Sequence, residues 1–275
     1  MVETGELGRG YGRLVGRTAL VTGSTRGLGR VIAEWLARDG ADVVTTGRDQ
    51  GDVDRAVEEI GEFDTRVVGI TADLSRLDHA HRLIETAFDQ APGIDIVVNN
   101  AGMSVPQAFY ECSDAEYEYQ HNVNLRSPFV INQVASRRWI ESATRGRIVN
   151  ISTVGVFAAH ADRMVYNMAK AGVQAMTRNM AHELGPFGIS VNCVAPGNVA
   201  DRPNVETFSD DDRIRMNARI PLGRIGRAED IASTVRYLCL PESAWTTGQT
   251  LLVDGGMISG MADLAIAAIK DDTSS

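Results

Sequence analysis

From residue 18 onward, short runs of aliphatic and β-branched residues alternate with stretches whose apolar positions recur every three to four residues. The runs at 18–23 (TALVTG), 41–48 (ADVVTTGR), 66–74 (RVVGITADL) and 94–102 (IDIVVNNAG) have the near-continuous apolarity of strands buried on both faces. So do those at 146–153 (GRIVNIST), 189–197 (ISVNCVAPG) and 249–256 (QTLLVDGG). Helical spacing predicts helices over 29–40, 53–63, 78–90, 165–184 and 228–240. In the first of these, Ile32, Trp35 and Leu36 share a stripe and Gly40 supplies a stop. A long helix is expected from 115 to 127, continuing past a kink at Pro128 to 142. The segment 198–220 is polar and rich in Asp and Arg.

Unbroken strand–helix alternation implies an α/β chain: a doubly wound parallel sheet of about seven strands with helices on both faces, joined by right-handed βαβ crossovers. No repeat, low-complexity tract or linker divides it, so the expectation is one domain over 14–260. A polar, Gly-rich arm over 1–13 precedes it, and a tail over 261–275 follows. The tail's apolar stretch, Leu264 to Ile269, would suit docking on a neighbouring copy.

Composition narrows the function classes. The 275 residues are 44% hydrophobic and 23% charged, the balance of an ordinary globular protein. A formal net charge of −9 argues against a nucleic-acid or anionic-membrane partner, since both need a basic footprint. No apolar run reaches spanning length, and the N-terminus lacks the basic-then-apolar pattern of a secretory signal. Cys112, Cys193 and Cys239 are far apart with no CxxC, which fits a reducing, cytoplasmic setting. His79, His81, His121, His160 and His182 show no ligand spacing, so no metal is expected.

The stretch TGSTRGLG (22–29) lies between the first strand and the first helix. Its Gly23, Gly27 and Gly29 would let the backbone turn sharply and approach a pyrophosphate at the helix N-terminus. About 20 residues beyond such glycines, NAD enzymes place an acidic residue for the ribose 2′-hydroxyl. Here the second strand ends in Gly47 and Arg48, with Arg26 in the glycine turn itself. Arginine suits a 2′-phosphate by charge and by forked hydrogen bonding, which favours NADP(H) over NAD(H).

Tyr166 and Lys170 in YNMAK fall on one helix face, one turn apart. By itself the pair is as compatible with a packed tyrosine beside a solvated lysine as with an acid and its tuner. Its company decides: TGSTRGLG, ADL (72–74), NNAG (99–102), NVNL (122–125), YNMAK, APG (195–197) and TGQTLLVDGG (247–256) follow in order. In that set and order the chain resembles the short-chain dehydrogenases/reductases, single-domain Rossmann-fold oxidoreductases, over roughly residues 14 to 256. Within the family it is similar to bacterial 3-oxoacyl-thioester reductases and sugar or polyol dehydrogenases.

That resemblance implies a ketone–secondary alcohol oxidoreductase with a small-molecule substrate. Tyr166 would be its general acid in reduction and base in oxidation, and Lys170 would stabilise the phenolate and hold the nicotinamide ribose. Asn124 would hold a water linking Lys170 to solvent. Gly23, Thr25, Arg26, Gly27, Leu28 and Gly29 would cradle the pyrophosphate, and Arg48 would meet the ribose. Asp73 and Leu74 would flank the adenine. Asn99, Asn100, Ala101 and Gly102 would pass beneath the cofactor, and Pro196, Gly197 and Val199 would border the nicotinamide. Family members commonly assemble as homo-oligomers, tetramers or dimers, through the helices near 115–142 and 165–184 and the last strand.

Two positions depart from the family pattern. The hydroxyl that holds the substrate carbonyl is either Thr153, thirteen residues before Tyr166 as the family places it, or Ser152, which would need an inserted residue. Strand register favours Thr153, because a slip of one residue turns the side chain to the other face. Asp201 stands where a threonine usually bonds the nicotinamide carboxamide, and an ionised carboxylate cannot donate to its oxygen. The substrate wall would come from 154–165 and 198–220, with Phe157, His160, Arg163, Met164, Arg202 and Phe208. Two other readings stay open: a cofactor-binding redox sensor with little turnover, and an epimerase or dehydratase that recycles its nucleotide.

Overall fold

The computed structural model describes residues 12–158, 160–200 and 209–259. Strands β1 (Thr18–Val21), β2 (Asp42–Gly47), β3 (Val67–Thr71), β4 (Ile94–Asn99), β5 (Arg147–Ile151), β6 (Ser190–Pro196) and β7 (Thr250–Val253) form one sheet. Every pairing is parallel, in the order β3-β2-β1-β4-β5-β6-β7. The chain winds outward from β1 to β3, then crosses back to pair β4 with β1. A reversal of strand order at β1 and β4 opens a crevice at their carboxyl ends, where sheets of this kind bind ligands.

The helices divide between the two faces. On one lie α1 (Gly27–Arg38), α2 (Gln50–Gly61) and α8 (Ala228–Cys239); on the other lie α3 (Leu77–Gln90), α5 (Ser127–Glu141) and α6 (Met164–Leu184). Shorter helices are α4 (Asp114–His121), which packs against α6, and α7 (Asp210–Ala218). Alternate strand residues feed two cores. Val21, Val43, Ile96, Val98, Val149 and Val194 join α1 and α8, while Leu20, Val44, Val97, Ile148 and Val191 join α3 and α5. Burial on both faces is why the strands lack polar alternation.

Strand bounds fall inside the expected runs, because the last residues of each run are the ligand-end loops rather than ladder. The expected strand over 66–74 stops at Thr71, so Asp73 and Leu74 occupy the turn that follows. Two expectations need correction. The helix expected from 115 to 142 is α4, a π-helical turn over Asn122–Arg126, and α5. The break comes from the inserted π residue, with Ser127 N donating to Asn122 O, while Pro128 sits in the first turn of α5, where its missing N–H costs nothing. The polar segment 198–220 also contains a helix, α7, that its apolar spacing did not announce.

Candidate active site

The turn after β1 is built by backbone. Gly23 and Gly27 have φ of 63° and 56°, a region that side-chain-bearing residues seldom enter. A Cβ on Gly29 would overlap the Gly23 carbonyl and the Asn100 amide, so α1 approaches β4 only through glycine. Ser24 Oγ donates to Val21 O (2.6 Å), and Gly23 N donates to Thr46 Oγ1 (3.2 Å), lacing the turn to β1 and β2. Asn100 Nδ2 donates to Thr22 O and Gly23 O (3.0 and 3.1 Å), and Thr22 Oγ1 accepts from the backbone N–H of Asn100 and Ala101. Arg26 precedes α1 in extended conformation and supplies no side-chain cap, and no acidic residue stands in the first turn. The helix thus presents its N-terminal N–H groups uncapped by side chains, the arrangement a pyrophosphate needs. The residues fit a dinucleotide.

At the far end of β2, Arg48 is exposed and its Nη1 donates to the hydroxyl of Tyr119 on α4 (3.3 Å). Asp73 accepts from Ser75 N (3.0 Å) and its own N–H donates to His79 Nδ1 (3.2 Å), which fixes the turn after β3. Three residues expected to line the cofactor turn their side chains elsewhere. Leu74 is buried in the core beneath α3, Val199 is buried in the core beneath α8, and Leu28 packs partly against that same core. Asn99 also points away, because it alternates onto the α5 face of the sheet. Its Nδ2 donates to Asn132 Oδ1 (2.6 Å) and Asn150 Oδ1 (2.9 Å), both buried. Thr25 is half-buried against Gly47, and Gly197 bonds through its N–H to Val253 O (3.0 Å) just past Pro196.

The nicotinamide end brings three sequence motifs, NNAG, NVNL and YNMAK, together. Lys170 is buried, with Nζ donating to Ile151 O at the end of β5 (2.8 Å) and lying 5.9 Å from the ring centre of half-buried Tyr166. Gly102 is wedged beside them: a Cβ there would lie 3.1 Å from Asn124 Oδ1 and 3.3 Å from Lys170 Nζ. Asn124, in the π turn, donates to Met103 O (2.7 Å) and Gln120 O (2.8 Å) and accepts from Met103 N (3.1 Å). Both its donors are therefore engaged by backbone, and only a second Oδ1 lone pair is left for a water.

The two candidate hydroxyls differ in surroundings. Ser152 is 1% exposed and faces α6, donating to Lys170 O (3.1 Å) and accepting from Gln174 Nε2 (3.0 Å). Thr153 is 8% exposed and its Oγ1 accepts from Gly155 N (3.1 Å), opening a single 3-10 turn over Val154–Val156. On the outer wall Phe157 and Met164 are exposed, and Arg163 Nη1 donates to Ser104 Oγ (3.3 Å). Asp201, Arg202, Phe208 and the tail stretch Leu264 to Ile269 lie outside the described residues.

Comparison with known proteins now decides the family. A family model described as Enoyl-(Acyl carrier protein) reductase matches residues 23–258. The 3-oxoacyl-[acyl-carrier-protein] reductase FabG of Aquifex aeolicus is 36% identical over 246 residues, 89% of this chain and 98% of that protein. The chain belongs to the short-chain dehydrogenases/reductases. L-rhamnose 1-dehydrogenase (NAD(P)(+)) of Azotobacter vinelandii is 35% identical across 89% of this chain and 97% of its own length. The structure of a putative short-chain alcohol dehydrogenase from Sinorhizobium meliloti 1021 superposes with a TM-score of 0.86 at 30% identity, covering 91% of this chain and 99% of that one. This short-chain dehydrogenase/reductase is an oxidoreductase that uses a nicotinamide cofactor, NAD or NADP, to interconvert ketones and secondary alcohols. The sensor and epimerase readings have no support among these relatives. Among the described residues, no helix is long and apolar enough to cross a membrane.

The sequence alone did not point to Tyr119, His79, Gln120 or Gln174. Tyr119 and Gln120 have partners far off in sequence, and His79, six residues from Asp73, matches no recognised motif. Gln174 had a spacing signal: it stands one turn beyond Lys170 and one before Thr177, on the helix face turned to the sheet.

Proposed function

We propose that the protein is an NADP(H)-preferring ketone reductase in which Tyr166 hands a proton to the substrate oxygen. When bound, the nicotinamide supplies or removes the hydride at the carbonyl carbon. Thr153 donates a hydrogen bond to the carbonyl oxygen, keeping its own proton, and holds that oxygen beside Tyr166, whose phenol proton completes the alcohol. Oxidation runs the same transfers backward, with the phenolate taking the proton. Lys170 keeps a positive charge beside the phenol and reaches the ribose; Asn124 holds the Met103 turn that walls the pocket.

The observation that carries this reading is the convergence of Gly102, Asn124, Lys170 and Tyr166 at the carboxyl ends of β4 and β5. For the hydroxyl, Ser152 already has its proton committed to Lys170 O, which supports Thr153. For the cofactor, support comes from Arg48, exposed at the end of β2 and steadied by the Tyr119 hydroxyl. A substrate wall of exposed Phe157 and Met164 beside half-buried Arg163 suits a small carbonyl compound.

Parallel titration of tryptophan-to-nicotinamide energy transfer with NADPH and NADH tests the cofactor choice. NADPH binds more tightly, and Arg48→Asp removes the difference; equal affinities in the parent chain sink the NADP reading. A ketone panel with the tighter cofactor then tests the chemistry, where Tyr166→Phe lowers kcat by roughly 10²–10⁴-fold.

We propose further that the protein is a homo-oligomer acting in the cytoplasm. Exposed Tyr117 and Phe129 on the α4–α5 side, and Leu252 and Trp245 around β7, support assembly; three free cysteines support a reducing compartment. Light scattering that reports a monomer at micromolar concentration would remove the first half of this.

A further inference from the structure

The stripe that α6 turns toward the sheet consists of Lys170, Val173, Gln174, Thr177 and Ala181, all buried. Helices that cover sheets ordinarily present aliphatic side chains there, so three polar members at i, i+4 and i+7 require partners. They find them on three consecutive residues at the end of β5. Asn150 Nδ2 donates to Thr177 Oγ1 (2.9 Å), Lys170 Nζ donates to Ile151 O (2.8 Å), and Gln174 Nε2 donates to Ser152 Oγ (3.0 Å).

Ser152 closes the set. An amide N–H can only donate, so the Ser152 oxygen accepts from Gln174 and its single proton goes to Lys170 O, 3.1 Å away. Lys170 is thereby tied to β5 at both ends, its ammonium through Ile151 and its backbone through Ser152. A lysine stem has several free torsions, so two anchors restrict where its charge can sit far more than one does.

We infer that Gln174 and Ser152 are positioning residues for Lys170, forming a brace that sets the distance between its ammonium and Tyr166. This rests on the roles proposed above for that pair. Among the described residues, groups facing the ammonium include the Ile151 carbonyl from β5, the Asn124 oxygen from the π turn, Tyr166 from the same helix and Cys193 from β6. Burial pushes the Cys193 thiol up to about 12, so it stays neutral and does not offset the lysine charge. The field reaching Tyr166 therefore follows the position of Nζ.

Ser152→Ala, Gln174→Leu and Thr177→Val separate this brace from ordinary packing. Thr177 lies on the same seam but does not touch Lys170. Turnover reads whether Nζ has moved: Ser152→Ala and Gln174→Leu change it and Thr177→Val does not. With the ketone found by the panel, the same two variants lose roughly three- to tenfold in kcat at unchanged KM, while Ser152→Thr, which keeps the hydroxyl, recovers most of it. If Ser152→Ala does not fold, Gln174→Asn, too short to reach Ser152, takes its place. Brace variants that lower only the melting temperature, as Thr177→Val does, overturn the inference. Turnover that survives Tyr166→Phe overturns the parent reading instead, so the two failures are distinct.

Discussion

The two faces of the sheet are cut from the same strands yet hold different chemistry. Toward α1 and α8, β4 and β5 present Ile96, Val98, Val149 and Ile151, aliphatic along their whole length. Toward α5 and α6 the same strands present Val97 and Ile148 near their amino ends, then Asn99, Asn150 and Ser152 toward the carboxyl ends. One face is core throughout; the other changes from core to a hydrogen-bonded seam as it nears the crevice. The seam bonds Asn99, Asn132, Asn150 and Thr177 to one another, just before the Ile151 and Ser152 that hold Lys170, so hydrogen-bonded polar structure replaces oil directly behind the reacting groups. Hydrogen-bonded amides fix orientation in a way that interchangeable methyl contacts do not, although Asn99 Oδ1 itself is buried without a partner among the described residues.

The sharpest test of this contrast asks whether the seam is dry. Cys239 under α8 and Cys193 beside the seam are both raised to about 12 by burial. Since only the thiolate reacts, both are expected to alkylate about a thousandfold more slowly than an ordinary thiol at pH 8, with rates rising about tenfold per pH unit. Half-buried Cys112 labels first. Mass mapping that finds Cys193 labelled as quickly as Cys112 would mean that water enters the seam.

Next in size is Leu36→Ala, on the aliphatic face. It is expected to lower stability by about 2–5 kcal/mol in urea melts while leaving kcat within twofold, because Leu36 is fully buried and far from the crevice. Asn150→Leu should reverse that profile. It takes away one of the two acceptors of Asn99 Nδ2 and the bond to Thr177, costing about 1–3 kcal/mol, and it lowers kcat because Asn150 directly precedes Ile151, whose carbonyl anchors Lys170. The smallest effect belongs to Tyr119→Phe, which frees Arg48 at the crevice edge. A charge-assisted bond to an exposed side chain contributes about 1 kcal/mol or less, so the NADPH-to-NADH affinity ratio falls by no more than about fivefold, read by the same fluorescence titration.

The apolar face was legible in the sequence and the polar seam was not. Valine-rich runs can only be buried strands here, and α6 begins at Met164, one residue before its expected start. The glycine turn was readable because steric exclusion leaves glycine alone at Gly23 and Gly29. Gln174 and Thr177, by contrast, recur one turn apart along the Lys170 face, but helical spacing alone does not tell what those side chains meet on the sheet. Leu74, Val199 and Asn99 were assigned by motif membership, but motif position fixes the backbone; strand alternation turns the Asn99 side chain, and core packing claims those of Leu74 and Val199.

The π turn at Asn122–Arg126 has a consequence for how this stretch tolerates change. One extra residue rotates everything downstream by about 100° relative to what came before, so it acts as a frame shift within a helix. Upstream, Gln120 and Asn124 grip the Met103–Val105 turn; downstream, Ser127 bonds Leu74 O and Ile131 enters the core. Without the shift, spacings of four, seven and eleven residues would line these four up on one side. Two surfaces with separate duties can thus drift independently, but only while the insertion stays: a single-residue deletion between 122 and 126 would force one of them to face the wrong neighbour.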